Sequence, residues 1–304
     1  MLTECVVTGD DFLDEVTTHL IAAGGKRLRP VLALATATGG VGTPTREDLL
    51  GAVAVELVHL ASLYHDDVMD EATIRRNVES VNSRFGNLVA IVAGDFLLAR
   101  SAEIAAGLGT EIAGLLAATL GELCQGQVAE VHAAFQVGRS IDDYTRAISG
   151  KTASLMATSC RIGALTAERS RPQVEAFTDF GRCFGMIFQV RDDILDVIGT
   201  AAELGKPAGQ DLAEGIYTLP VILALDDPEV GPELKPLLGG PLGDDERERA
   251  RSLVAASGSV AASVAVGRRY AEEAAVAASH CPTPELVTGL ARLAHSLVDD
   301  LPIG

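Results

Sequence analysis

The chain has 304 residues, 48% hydrophobic and 22% charged, a balance that excludes a disordered or fibrous protein and fits one large domain or two ordinary ones. Its 24 Lys and Arg stand against 42 Asp and Glu, a formal charge of −18, which speaks against nucleic acid or anionic lipid as partners. It leaves room for a small anion held by a few placed cations or by a carboxylate-bound metal.

The five cysteines, Cys5, Cys124, Cys160, Cys183 and Cys281, are scattered and never form C-x-x-C. Neither a disulfide framework nor a zinc site is expected, and the cytoplasm is the expected location. The first twenty residues carry five acids and no Lys or Arg, and no stretch of about 18 uncharged apolar residues occurs, so no export signal or integral membrane segment is expected.

Aromatic residues are only 4%, and the apolar residues are mostly Ala, Leu and Val, which predicts an all-α fold. In chain order, the first segment that stands out is Gly24-Gly25-Lys26-Arg27-Leu28-Arg29-Pro30. A flexible glycine pair precedes Lys26 and Arg29, and Pro30 suits a first helical turn. An anion site is the favoured reading, with a basic helix start packed on acidic neighbours as the alternative. A helix is predicted over Leu49 to Asp70, with Val53, Leu57, Leu60, Ala61 and Tyr64 repeating at threes and fours. Thr45 suits its cap, and Glu47 and Asp48 favour the positive end of its dipole.

That helix ends in His65-Asp66-Asp67-Val68-Met69-Asp70, and Arg75-Arg76 follow. Further helices are predicted at 87–106, 110–135, 141–167, 172–198, 216–226, 244–256, 259–280 and 283–300. Within 141–167, Gly150-Lys151-Thr152 interrupts the pattern; a mid-helix glycine costs about 1 kcal/mol and marks either a kinked core helix or a presented donor set. The helix 172–198 carries Gln189 three residues before a second acid motif, Arg191-Asp192-Asp193-Ile194-Leu195-Asp196. A loop with one cation follows, Gly205-Lys206-Pro207 and Gly209-Gln210-Asp211. The Gly/Pro-rich stretch 227–243 is too short for a linker and no fixed-period repeat is visible, so 1–304 reads as a single domain.

Both acid motifs place carboxylates at i, i+1 and i+4 at the C-terminal end of a long apolar helix. Like charges crowded on a helix cost roughly 0.2–0.5 kcal/mol per pair, and the negative end of the dipole adds to that. One such triplet on a solvated face needs no function. Two are explained economically by a divalent cation that turns repulsion into coordination. Oxygen-only donors suit Mg²⁺ or Mn²⁺ and leave positions for water and substrate phosphate. The guanidinium forks of Arg75-Arg76 suit bidentate phosphate contacts, although a pair of arginines is also an ordinary surface feature.

Taken in order, GGKRLRP (24–30), HDDVMDEATIRR (65–76), GDFLLARS (94–101), QGQ (125–127), GKTASL (150–155), FQVRDDILD (188–196), GKPAGQDL (205–212) and TLP (218–220) closely resemble the trans-polyprenyl diphosphate synthases. The resemblance implies the isoprenoid synthase fold, antiparallel helices around a central cavity, usually in a homodimer. It implies that Asp66, Asp67 and Asp70 face Asp192, Asp193 and Asp196 and bind Mg²⁺ bridging an allylic diphosphate. Arg75, Lys151, Thr152, Gln189 and Lys206 match the allylic diphosphate positions; Lys26, Arg29, His59 and Arg76 match those for isopentenyl diphosphate. The implied catalytic set is Asp66, Asp67, Asp70, Lys151, Asp192 and Lys206. Three departures stand out: Ile216 where Lys is common, Asn77 where Gly is usual and Glu79 where Pro is common.

The reaction so implied is a head-to-tail condensation by ionisation, condensation and elimination, with no protein nucleophile. The growing tail would run along the helix that ends in Asp66, past Ala61, Ser62 and Val58. Val53 to Asp66 spans roughly 20 Å of helix, enough to flank about four isoprene units. With small side chains at Ala61 and Ser62, a C30 to C50 product is expected. Closure by Phe85, Phe96, Leu116 or Leu120 would give a C20 product instead. A class I terpene cyclase would leave Lys26 and Arg29 without a purpose, and a non-catalytic subunit of a heteromeric synthase would typically lack metal aspartates that this chain keeps.

Overall fold

The computed structural model describes residues 1–200 and 208–302. The chain forms two compact units. One comprises Met1–Leu120, Leu155–Thr178 and Cys281–Leu286; the other comprises Gly121–Ser154, Asp179–His280 and Val287–Gly304. The predicted all-α class is borne out in both, with one two-stranded hairpin as the exception among the described residues.

The first unit contains helices α1 (Asp11–Ala22), α2 (Leu28–Thr38), α3 (Arg46–Met69), the hairpin β1 (Ile74–Arg75) and β2 (Val78–Glu79), α4 (Val81–Phe85) and α5 (Asn87–Leu108). It also takes in parts of α6 (Thr110–Ala133), α8 (Ser154–Thr166) and α9 (Arg171–Ile198). Helix α3 starts as its sequence predicts. The Thr45 hydroxyl accepts the Asp48 N–H at 3.1 Å, and the Asp48 carboxylate accepts the Thr45 N–H at 2.8 Å, a reciprocal cap that satisfies two orphan donors.

On α3, Leu57, Leu60, Ala61 and Tyr64 are fully buried and pack with Val16 and Leu20 of α1 and with Ala90, Ala93 and Leu97 of α5. Each such leucine contributes about 1.5–3 kcal/mol of burial. The Tyr64 hydroxyl donates to the Val16 carbonyl at 2.8 Å, so a polar atom in this core is satisfied. Helices α2 and α8 meet backbone to backbone: a Cβ on Gly163 would lie 1.9 Å from the Ala33 carbonyl oxygen, and the Thr36 hydroxyl donates to the Cys160 carbonyl at 3.1 Å.

The second unit holds the remainders of α6, α8 and α9, with α7 (Ile141–Ile148) and a π-helical turn, Ser149–Ala153. Short helices α10 (Gln210–Ala213), α11 (Leu219–Leu225) and α12 (Gly231–Leu234) follow, then α13 (Asp244–Ala256), α14 (Ser259–Ala278) and α15 (Pro284–Asp299). Two expectations are corrected here. The single helix expected at 141–167 is α7, the π turn and α8, because Gly150 sits where the chain widens by one residue. The helix expected from 216 starts at Leu219, since Gly215 takes a φ of +73° and Pro220 belongs in a first turn.

Candidate active site

In the first unit, arginines gather behind the glycine loop. Arg27 enters α2 with a left-handed φ of +50°, pairs with the buried Glu56 carboxylate and donates to the Ile21 carbonyl at 2.9 Å. Arg76 donates to the carbonyls of Leu20, at 3.1 Å, and Gly24. Its guanidinium lies so close to Gly25 that a Cβ there would meet Cζ at 3.0 Å, and Gly25 has a φ of +131°. The positive φ favours glycine there, and a Cβ would press on the guanidinium.

Arg29 is partly buried, with an Nε that has no partner, and burial lowers its pKa to about 10 despite attraction to Glu56. His59 is held well below its ordinary pKa, first by burial and then by Arg29, Arg76, Arg27 and Arg75, so its imidazole is neutral. The structure therefore brings Arg29, His59 and Arg76 together, leaves Lys26 exposed on the loop, and adds Arg27 and Glu56. Glu56 had a legible signal: it is the one charge in an apolar run that continues to Tyr64.

The first acid motif closes α3. Asp66 is partly exposed and Asp70 exposed, one turn apart, the Asp70 N–H bonded to the Asp66 carbonyl at 2.8 Å, whereas Asp67 is fully buried. Asp67 Oδ1 accepts from Arg75 Nε at 2.6 Å and forms an ion pair with Nη2 at 2.6 Å, and its Oδ2 is buried without a partner. Burial raises the Asp67 pKa against the opposing pull of Arg75. The two strands of the hairpin pair Arg75 with Val78, leaving a two-residue turn in which Arg76 and Asn77 have φ of +53° and +62°. Two positive φ values are the signature of a type I′ turn, in which Asn is among the best-tolerated side chains, so Asn77 fits where glycine is common. Behind the motif, a Cβ on Gly94 would lie 2.4 Å from His65 Nε2, which explains a glycine in that helix.

Of the residues expected along the tail's path, Val58 and Ala61 are buried. The Ser62 hydroxyl bonds the His59 carbonyl at 2.9 Å. Phe85 and Phe96 pack on the same core cluster as Ala61.

In the second unit, the glycines of QGQ and GKT explain each other. A Cβ on Gly126 would lie 2.4 Å from the Lys151 nitrogen, and one on Gly150 2.8 Å from the Glu122 carbonyl, so α6 and the π turn touch through their backbones. The turn presents Lys151, whose ammonium pairs with Glu130, and Thr152, whose hydroxyl donates to Gln189 Oε1 at 2.7 Å. Gln189 in turn donates to Asp193 Oδ1 at 2.9 Å, and the Tyr144 hydroxyl donates to Asp193 Oδ2 at 2.5 Å. Burial pushes the Asp193 pKa up to about 7, the hydrogen bonds from Tyr144 and Gln189 acting against it and Asp192 and Glu130 adding to it. Sequence reasoning missed Tyr144 and Glu130, which carry no local signal.

Asp192 is exposed, while Asp196 is buried and accepts the Gln210 and Asp211 N–H groups at 3.3 and 3.2 Å, capping α10. The six aspartates, alike in sequence, thus fall into two kinds. Asp66, Asp70 and Asp192 reach solvent; Asp67, Asp193 and Asp196 are buried on protein donors. Lys206 lies outside the described residues. Ile216 is partly buried, and its N–H bonds the Asp211 carbonyl at 2.8 Å.

Among the described residues no three His, Cys, Asp or Glu side chains converge on one point. Mg²⁺ does not need such a cage, since it usually keeps several waters and takes one or two carboxylates plus substrate phosphate. The oxygen-only donors and the orphaned Asp67 Oδ2 fit that ion.

A helical fold with two acid-ended helices and a guanidinium cluster defines a diphosphate-handling enzyme of the isoprenoid synthase class. Its sequence matches Polyprenyl synthetase over residues 10–256. It is 38% identical over 269 residues to the nonaprenyl diphosphate synthase of Mycobacterium tuberculosis, covering 87% of this chain and 80% of that one. It is 45% identical over 219 residues to heptaprenyl diphosphate synthase component 2 of Geobacillus stearothermophilus, covering 72% and 68%. The crystal structure of a decaprenyl diphosphate synthase from Rhodobacter capsulatus matches with a TM-score of 0.91 at 33% identity, covering 99% of this chain and 94% of that one. The chain belongs to the polyprenyl synthetase family and is a chain-elongating prenyltransferase. Among the described residues no single helix is long and apolar enough to cross a membrane.

Proposed function

We propose that the enzyme condenses isopentenyl diphosphate with an allylic diphosphate, with Mg²⁺, to give a C30 to C50 polyprenyl diphosphate, acting as a cytoplasmic homodimer. The observation that carries this reading is the gathering of Arg27, Arg29, Arg75 and Arg76 around a neutral His59, with Glu56 and Asp67 as their paired acids. Four guanidiniums against two carboxylates leave a local positive excess in a chain of charge −18, which suits an anion of two phosphates.

In the proposed division of labour, Lys26, Arg29, His59 and Arg76 hold isopentenyl diphosphate, and Arg75, Lys151, Thr152, Gln189 and Lys206 hold the allylic diphosphate. Asp66, Asp67, Asp70, Asp192, Asp193 and Asp196 are the residues for Mg²⁺ in this reading. Mg²⁺ when bound supplies charge that stabilises the leaving diphosphate. The cationic side chains do the same from fixed positions as the C1–O bond breaks. The isopentenyl double bond then attacks C1 of the allylic cation, and the proton lost from the adduct goes to the released diphosphate. No side chain need form a covalent bond.

Product length is supported by Ala61 and Ser62 and by the heptaprenyl, nonaprenyl and decaprenyl names of the relatives. A C20 product is the second reading, favoured by Phe85 and Phe96 on the Ala61 cluster. A homodimer is supported by the apolar side chains that α5 exposes, Leu88 at 76%, Val92 at 55% and Ile91 at 41%.

The test is metal dependence. Asp66→Ala is expected to lower turnover by orders of magnitude with the helical circular dichroism retained, and chelation of Mg²⁺ to stop the wild-type enzyme reversibly. Near-normal rates in either case would contradict the assignment.

A further inference from the structure

The π turn that presents Lys151 and Thr152 has a wide geometry that an isolated chain seldom holds, since π-helical turns occur mostly as single bulges inside α-helices. What holds it is visible in the second unit. Gln189 and Asp193 stand one turn apart on α9 and are bonded to each other. Gln189 receives Thr152, inside the turn, and Asp193 receives Tyr144, on α7 before it. The α9 pair therefore grips the chain on both sides of Lys151. On the α6 side, the backbone contact of Gly126 and Gly150 closes off the space into which the turn could move.

Tyr144 is suited to the grip. It is 2% exposed, its ring lies 5.6 Å from the Arg139 guanidinium, and Arg139, itself 7% exposed, donates to the Tyr217 carbonyl at 3.0 Å. Both faces of the interaction are thus fixed, one by the Asp193 carboxylate and one by a buried arginine anchored to backbone.

We propose that Tyr144 is a positioning residue for the allylic diphosphate: by tying Asp193 to α7 it holds the π turn in register and so aims Lys151 and Thr152. The inference rests on the reading of those two residues as allylic diphosphate ligands. Without the anchor, the turn can relax toward α-helical register. A one-residue shift there rotates each side chain by about 100° around the helix axis, which misplaces a charge meant for one phosphate.

Tyr144→Phe tests this directly, because it keeps the ring and the core volume and removes only the donor. Calorimetric titration in the presence of Mg²⁺ with farnesyl thiodiphosphate, an analogue that ionises poorly, and separately with isopentenyl diphosphate, reads the two subsites apart. The expected result is about a tenfold loss of affinity for the allylic analogue, isopentenyl diphosphate binding within twofold of wild type, and faster amide hydrogen exchange over 149–153. Unchanged affinity for the analogue, or an equal loss for both ligands, would overturn the inference while leaving the proposed function standing. Wild-type enzyme that binds neither ligand would instead overturn the underlying reading, and the inference with it.

Discussion

The protonation state of His59 follows from its neighbours. Burial and four guanidiniums hold its pKa well below the ordinary value near 6.5. The unfolded chain therefore takes up a proton below about pH 6.5 that the folded chain refuses, so this site's contribution to stability is full above that pH and is lost as pH falls toward the folded pKa. A bound diphosphate would neutralise the arginines and raise the imidazole pKa. Following the His59 ring signals by NMR should show that upward shift on adding isopentenyl diphosphate without metal; an unmoved titration would remove His59 and its arginines from the anion site.

At the scale of the helices, a pair of glycines decides the placement of Lys151. Gly126→Ala puts a methyl group 2.4 Å from the Lys151 nitrogen, which the π turn can relieve only by moving. Overpacking of this kind costs about 1–3 kcal/mol. The variant should melt several degrees lower and lose affinity for the allylic substrate, measured by calorimetry and steady-state kinetics. Wild-type values for both would mean that the close approach does not matter.

Helix α3 with its Thr45 cap, most of the later helices and both acid motifs were readable from spacing and caps, because apolar residues at threes and fours with Gly and Pro between the runs mark long helices; the reciprocal bond to Asp48 was not. Helix α1 and the hairpin were not read, and of α2 only its start at Pro30 was. Each strand of the hairpin is two residues long, too short for alternation to register, and its turn is marked only by Asn77. The inequality of the six aspartates was likewise invisible, since it depends on what packs around each: Arg75 for Asp67, Tyr144 and Gln189 for Asp193, backbone N–H groups for Asp196. The resemblance to known synthases assigned Lys151 and Thr152 to the allylic diphosphate, whereas the turn that presents them emerged only from the fold.

For the whole molecule, the solvent-facing apolar side chains of α5 carry a consequence for assembly. A lone chain would expose Leu88, Ile91 and Val92 to water, and a second copy covering them would remove that cost. Sedimentation of the wild-type protein should give twice the chain mass, and Leu88→Glu with Val92→Glu should give the chain mass. A wild-type monomer, or a stable complex only with a different subunit, would refute self-association.

Chain elongation to a long product can be measured directly. Purified enzyme with Mg²⁺, farnesyl diphosphate and excess labelled isopentenyl diphosphate should yield products that chromatography sizes at C30 to C50. Failure to elongate any allylic primer, of whatever length, would contradict it.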